Sequence, residues 1–122
     1  YDCLRIDING FLAETATSNL FFLKDGCLYT PALDTGILPG VIRAVLLRDC
    51  DLQIEEGLFA QGAIRDAEAV FVTNATSGLK IIERIDGFPL GQSTQYSVAS
   101  EALSAIQSLL LRAQESRALS LI

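Results

Sequence analysis

Leu38-Pro39-Gly40-Val41-Ile42-Arg43 places a proline and a glycine directly before an apolar-periodic run, Val41, Ile42, Val45 and Leu46. That order predicts a helix from about Gly40 to about Asp49, with its first amide N–H groups unpaired. Glycine lets a ligand approach the backbone, and the helix dipole favours negative charge. A phosphate therefore fits such an end without a basic side chain. Read alone, the same residues also describe a loop feeding a core helix.

Strands flank this helix on both sides. Leu4, Ile6 and Ile8 alternate with Arg5 and Asp7, the period of a half-buried strand, and Asn9-Gly10 is a hairpin signal that returns Phe11 to Ala16 beside it. Asn19 to Lys24 and Cys27 to Thr30 repeat the arrangement around Lys24-Asp25-Gly26, and Pro31 ends the second strand because it has no N–H for a ladder. Beyond the helix, Leu52 and Ile54 alternate with Gln53 and Glu55 as a short strand, and Gly57 to Asp66 holds a brief helix or turn. Ala69 to Thr73 is a buried strand with no polar face, and Leu79 to Ile85 is another strand, closed by Asp86-Gly87. From Ser97 to about Ser116, Val98, Ala102, Ala105, Ile106, Leu109, Leu110 and Ala113 recur at helical spacing, an amphipathic helix that covers a sheet. This order implies an α/β layer structure without internal repeats or linkers.

A length of 122 residues allows one modest domain with a single core. Mean hydropathy is +0.36, apolar for so small a domain, which predicts that another domain or subunit covers part of the surface. The chain opens at Tyr1 already in strand-like sequence and contains no methionine, so it reads as a fragment. A net charge of −6 without histidine argues against a nucleic-acid partner and removes the commonest acid–base and metal-ligand side chain. Cys3, Cys27 and Cys50 are scattered without C-x-x-C spacing, which predicts buried free thiols rather than disulfides or metal ligands. No apolar run approaches the ~18 residues of a membrane span and no signal peptide is visible, so the expectation is a cytoplasmic protein.

Further blocks surround the helix start: Gly10-Phe11-Leu12-Ala13-Glu14, Thr17-Ser18-Asn19-Leu20-Phe21, Leu28-Tyr29-Thr30-Pro31, and Val70-Phe71-Val72-Thr73-Asn74-Ala75-Thr76-Ser77-Gly78. In this order, together with L-P-G-x-x-R, they resemble the C-terminal domain of the class IV (fold-type IV) pyridoxal-phosphate enzymes. That family includes aminodeoxychorismate lyase and the branched-chain and D-amino acid aminotransferases. The resemblance runs from about Asp2 to Gly87 and is nearest the lyase branch. It implies an α/β fold, a mixed sheet forming a partial barrel with flanking helices, over residues 1–122. It also implies a pyridoxal 5'-phosphate cofactor, a small amino substrate, a homodimer, and an N-terminal domain that this chain lacks.

The resemblance places the cofactor's ring nitrogen against Glu14, where a carboxylate keeps that nitrogen protonated and strengthens the ring as an electron sink. Ala13, Thr15 and Ala16 are small enough to leave room for a flat ring; without the motif, Glu14 would read as a solvent-facing strand residue. Gly40, Val41 and Ile42 match the backbone that holds the cofactor phosphate, although many family members carry threonine where Ile42 stands. Thr73, Asn74, Ala75, Thr76 and Ser77 match the second phosphate-side loop, with Thr76 and Ser77 placed to face the phosphate or the substrate carboxylate. Small polar residues there equally suit a turn between two strands. Aminotransferases usually have serine or threonine at the position of Ala75, whereas Asn-Ala resembles some lyases. The family's cofactor-binding lysine precedes Gly10. The only lysines here, Lys24 and Lys80, match no motif and read as solvated side chains.

Two functional classes follow. In the first, the chain is the cofactor domain of a complete lyase or aminotransferase and is inactive alone for want of the lysine. In the second, it is a truncated, non-catalytic binding or structural module.

Overall fold

Leu20 and Phe22 face one side of strand β3 (Asn19–Lys24) while Phe21 and Leu23 face the other, and all four are buried. Strand β6 (Ala69–Asn74) divides in the same way, with Val70 and Val72 on one side and Ala69 and Phe71 on the other. Side chains alternate along a strand, so a run without a polar face requires cover on both sides. The computed structural model describes residues 3–75, 78–85, 88–89 and 101–112 and supplies both covers.

Around this pair runs a mixed sheet of seven strands. Strand β1 (Leu4–Ile6) pairs antiparallel with β2 (Leu12–Thr15), β2 with β3, and β3 with β4 (Cys27–Pro31). Helix α1 (Val41–Asp49) is the crossover that lets β5 (Ile54–Gly57) lie parallel to β4. On its other side β3 pairs with β6, and β6 with β7 (Gly78–Ile81), both antiparallel. A bridge between Phe11 and Ala60, with the Leu12 N–H donating to the Phe59 carbonyl at 2.8 Å, curls the β2-to-β5 path back on itself. That is the partial barrel expected.

One core packs Ile42 and Leu46 of α1 and Leu103, Ile106 and Leu110 of a second helix (α2, 101–112) on Phe21, Leu23, Leu28 and Phe71. Phe21 and Phe71 stack with ring centroids 5.2 Å apart. The opposite core gathers Leu12, Leu20, Phe22, Ile64, Val70 and Val72. Each such side chain stabilises the fold by ~1.5–3 kcal/mol through burial. No helix among the described residues is long and apolar enough to cross a membrane.

Several details differ from the sequence expectations. Leu79 to Ile85 is not one strand: the Ile82 N–H still reaches the Val70 carbonyl at 2.8 Å, but β6 begins at Ala69 and offers no partner beyond. The chain breaks there and resumes as β8 (Arg84–Ile85), which pairs with β9 (Phe88–Pro89). The Asn9-Gly10 connection is longer than a two-residue hairpin because the Asp7 carboxylate accepts the N–H groups of Asn9 and Phe11, both at 2.9 Å. At the second hairpin, Asp25 (φ 51°) and Gly26 (φ 76°) supply the two positive φ values that match strand twist. Cys3, Cys27 and Cys50 form no disulfide among the described residues, but Cys3 is exposed and Cys27 and Cys50 are only partly covered, not buried. The expected turn at Asp86-Gly87 lies outside the described residues, as do both ends of the expected Ser97-to-Ser116 helix.

Candidate functional site

Strands β2 and β3 are in register only at Glu14 and Asn19, so they splay beyond that point. In the same layer Asn19 pairs with Thr73 of β6, which brings Asn74 and Ala75 beside the turn closed by the Thr15 N–H on the Ser18 carbonyl at 3.0 Å. The loop Leu38–Gly40 and the start of α1 face this junction across a cleft of ≈ 220 Å³. Glu14, Gly40, Val41, Ile42, Asn74 and Ala75 all line it. Thr76 and Ser77 lie outside the described residues. Of the small residues expected to flank a ring, Ala16 lines the cleft, whereas Ala13 and Thr15 are buried in β2 and do not.

Glu14 is only 8% exposed, contrary to the solvent-facing alternative. A buried carboxylate needs donors. Arg5 Nη2 donates to Oε1 at 3.0 Å, while Asn19 Nδ2 at 3.3 Å and the Leu38 N–H at 3.2 Å both reach Oε2. Asn19 Nδ2 also donates to the Leu38 carbonyl at 2.9 Å.

Helix α1 starts at Gly40 in extended conformation (φ −62°, ψ 154°), and no side chain caps it. Its first N–H groups are therefore available to an anion. A Cβ at residue 40 would overlap Asn19 Oδ1, so any other residue there would force the Asn19 side chain to shift. Arg43, buried at the end of the same motif, ion-pairs with Glu56 and donates to the Pro31 carbonyl at 3.3 Å, which pins the first turn of α1 to β4 and β5.

Two contributors were read from sequence only as members of their blocks, Thr73 of the phosphate-side loop and Asn19 of the Thr17-to-Phe21 run. Thr73 Oγ1 is buried beside the cleft and has no hydrogen-bond partner among the described residues. An orphaned hydroxyl costs ~1–3 kcal/mol, which a ligand acceptor would recover. Asn19, recognised only as a letter of the Thr17-to-Phe21 block, links the carboxylate to the loop. Asn74 Nδ2 donates to Ser18 Oγ at 2.9 Å and fixes the wall between them. Chemically, the cleft offers a buried carboxylate to a protonated nitrogen, and helix N–H groups with a hydroxyl to an anion. Lys24 and Lys80 are exposed and line no part of it.

Residues 1–85 match the family described as amino-transferase class IV. The chain is 35% identical over 104 residues to the aminodeoxychorismate lyase of Bacillus subtilis, covering 83% of this chain and 34% of that protein. Among solved structures, a Legionella pneumophila protein described as a 4-amino-4-deoxychorismate lyase superposes with a TM-score of 0.76 at 28% identity, covering 88% of this chain and 41% of that one. The branched-chain amino acid aminotransferase from Escherichia coli gives 0.72 at 27% identity, over 84% and 36%. A further branched-chain amino acid aminotransferase, from T.th. and complexed with N-(5'-phosphopyridoxyl)-L-glutamate, gives 0.73 at 27% identity, over 89% and 37%. The chain spans 30% to 34% of the length of curated relatives such as the Escherichia coli branched-chain aminotransferase and the Bacillus lyase. A match over residues 1–85, most of the chain, makes it a member of the class IV aminotransferase family.

Proposed function

We propose that this chain is the C-terminal, cofactor-binding domain of a pyridoxal-phosphate enzyme. The complete protein would be a cytoplasmic homodimer that forms 4-aminobenzoate and pyruvate from 4-amino-4-deoxychorismate, for folate synthesis. The observation that carries this reading is the pairing, across one cleft, of the buried Glu14 carboxylate with the uncapped start of α1 and the orphaned Thr73 hydroxyl. When bound, pyridoxal phosphate supplies an electron-withdrawing ring that weakens bonds at the substrate's α-carbon.

The residues here hold and orient that group. Glu14 would hold a proton on the ring nitrogen, and its three donors fix the carboxylate in place for that role. The N–H groups of Val41 and Ile42 and the Thr73 hydroxyl take the phosphate; Ile42 adds no hydroxyl of its own. Asn74, held by Ser18, shapes the opposite wall with Ala75, and Thr76 and Ser77 meet the phosphate or the substrate carboxylate. The cofactor-binding lysine comes from a part of the complete protein outside this chain, since Lys24 and Lys80 stand away from the cleft.

The lyase reading is supported by the 35% identity to the Bacillus lyase and by the Asn74-Ala75 pair. Similarity to branched-chain aminotransferases supports an aminotransferase as the second reading. The deciding assay compares, on the complete protein, pyruvate release from aminodeoxychorismate with amino exchange between branched-chain substrates and 2-oxoglutarate. Faster pyruvate release is expected. Efficient exchange without pyruvate would move the protein to the second reading, and neither activity would favour the non-catalytic module.

A further inference from the structure

One side chain bonds to both halves of the cleft. Asn19 Nδ2 donates one hydrogen to Glu14 Oε2 at 3.3 Å and the other to the Leu38 carbonyl at 2.9 Å. The Leu38 N–H returns to the same Glu14 oxygen at 3.2 Å, closing a three-membered network of carboxylate, amide and loop. Asn19 Oδ1 faces the Gly40 backbone so closely that no Cβ fits between them. Asn19 is itself 5% exposed and held in register with Glu14 on one strand and Thr73 on another. Both amide hydrogens are committed, so the side chain has no rotamer freedom to spend without breaking a bond.

We infer that Asn19 is a positioning residue that fixes the separation between the Glu14 carboxylate and the start of α1, so that the two ends of a bound cofactor are gripped together. Glu14 sits on a strand and Gly40 on a loop, and the single Leu38 N–H bond to Glu14, with Arg43 anchoring the far side of the first turn, leaves the loop free to pivot toward or away from the carboxylate. Asn19 removes that freedom before the ligand arrives, and preorganisation of this kind raises affinity without adding a contact. The inference rests on the cofactor reading above and adds to it a residue that need not touch the cofactor.

The test uses the complete protein and compares binding of pyridoxal 5'-phosphate with binding of pyridoxal, which lacks the phosphate. Asn19→Ala should lower the preference for the phosphorylated form by roughly tenfold, because the phosphate end is no longer held at the right distance from Glu14. General destabilisation, or a role confined to Glu14, weakens both ligands equally and leaves the ratio unchanged; that result overturns the inference. A wild-type protein that fails to prefer the phosphorylated form overturns the cofactor reading instead. Where Asn19→Ala does not fold, Asn19→Leu keeps the approximate shape, removes both donors without adding a charge and reads the same ratio.

A thermal double-mutant cycle checks the geometry without any cofactor. Gly40→Ala should lower Tm sharply when Asn19 is present and much less in the Asn19→Ala background, where the obstructing oxygen is gone. Equal losses in both backgrounds would show that Asn19 does not brace Gly40, and would count against the inference.

Discussion

The Leu38 backbone N–H donates to Glu14 Oε2 at 3.2 Å, tying a strand residue to a loop 24 positions later in the chain. Glu14 Oε1 stays paired with Arg5 while Oε2 is held against the loop that borders the cleft. If its carboxylate holds a ring proton, its loss falls on charge developing in the transition state. Glu14→Ala in the complete protein should therefore lower kcat by on the order of 10²-fold or more with a smaller change in KM. An unchanged kcat would assign Glu14 a purely structural role.

Arg43 and Glu56 give an asymmetric prediction. The Arg43 side chain is 4% exposed and that of Glu56 43%, so the two partners do not carry equal burdens. Glu56→Ala leaves a buried guanidinium with only the Pro31 carbonyl, and should cost about 2–3 kcal/mol after allowance for solvent at the Glu56 end. Arg43→Met removes the buried charge while keeping most of the volume, and should cost less. Chemical denaturation of both variants checks the order.

Much of this architecture was legible locally. The alternation in Asn19–Lys24, the Asp25-Gly26 turn and the Pro-Gly entry to α1 each depend on neighbours within a few residues. What escaped depends on contacts distant in sequence. The break after Ile82 is set by where β6 begins, and the bond from Asn19 to Leu38 spans 19 positions. Thr73 reads as loop chemistry, yet its burial in β6 and the lack of a partner for its hydroxyl among the described residues belong to the assembled sheet.

The cysteines should differ in reactivity. Burial, with Asp51 adding to it, pushes the Cys50 thiol above its ordinary 9.0, and the thiolate is the reactive form. Less thiolate is present at any given pH, so iodoacetamide should label exposed Cys3 before Cys50 near pH 8, and the Cys50 rate should keep climbing past pH 9.0. Peptide mapping across a pH series reads both. Early saturation at Cys50 would contradict the burial argument.

No lysine of this chain should form a stable link to the cofactor. A lysine of that kind must be desolvated or placed near cations so that its amine is neutral, and Lys24 and Lys80 are both exposed. Mixing the isolated chain with pyridoxal phosphate and reducing with borohydride should leave its intact mass unchanged. A stoichiometric adduct on Lys80 would refute the assignment of the lysine to another part of the protein.

The last prediction concerns hydroxyls at the phosphate end. An aminotransferase must hold its cofactor through half-reactions in which it is not attached to the lysine, whereas a lyase regains that attachment in every turnover. A hydroxyl bonded to a charged phosphate is worth ~1.5–3 kcal/mol, which matters most when the covalent link is absent. The family resemblance implies two positions for one, Ile42 and Ala75, and they are not equivalent. Ile42 is 7% exposed and packs in the same core as Phe21 and Leu46, so threonine there would lose apolar burial as it gained a hydroxyl. Ala75 is exposed at the cleft wall, so serine there should change stability by no more than about 0.5 kcal/mol. Ala75→Ser in the complete protein should therefore tighten binding of pyridoxamine 5'-phosphate, which cannot attach to the lysine, by about tenfold while leaving Tm nearly unchanged. Ile42→Thr should lower Tm whatever it does to binding. Should Ala75→Ser leave the affinity as it was, Ala75 does not border the phosphate, and the Asn74-Ala75 pair loses its weight in favour of the lyase.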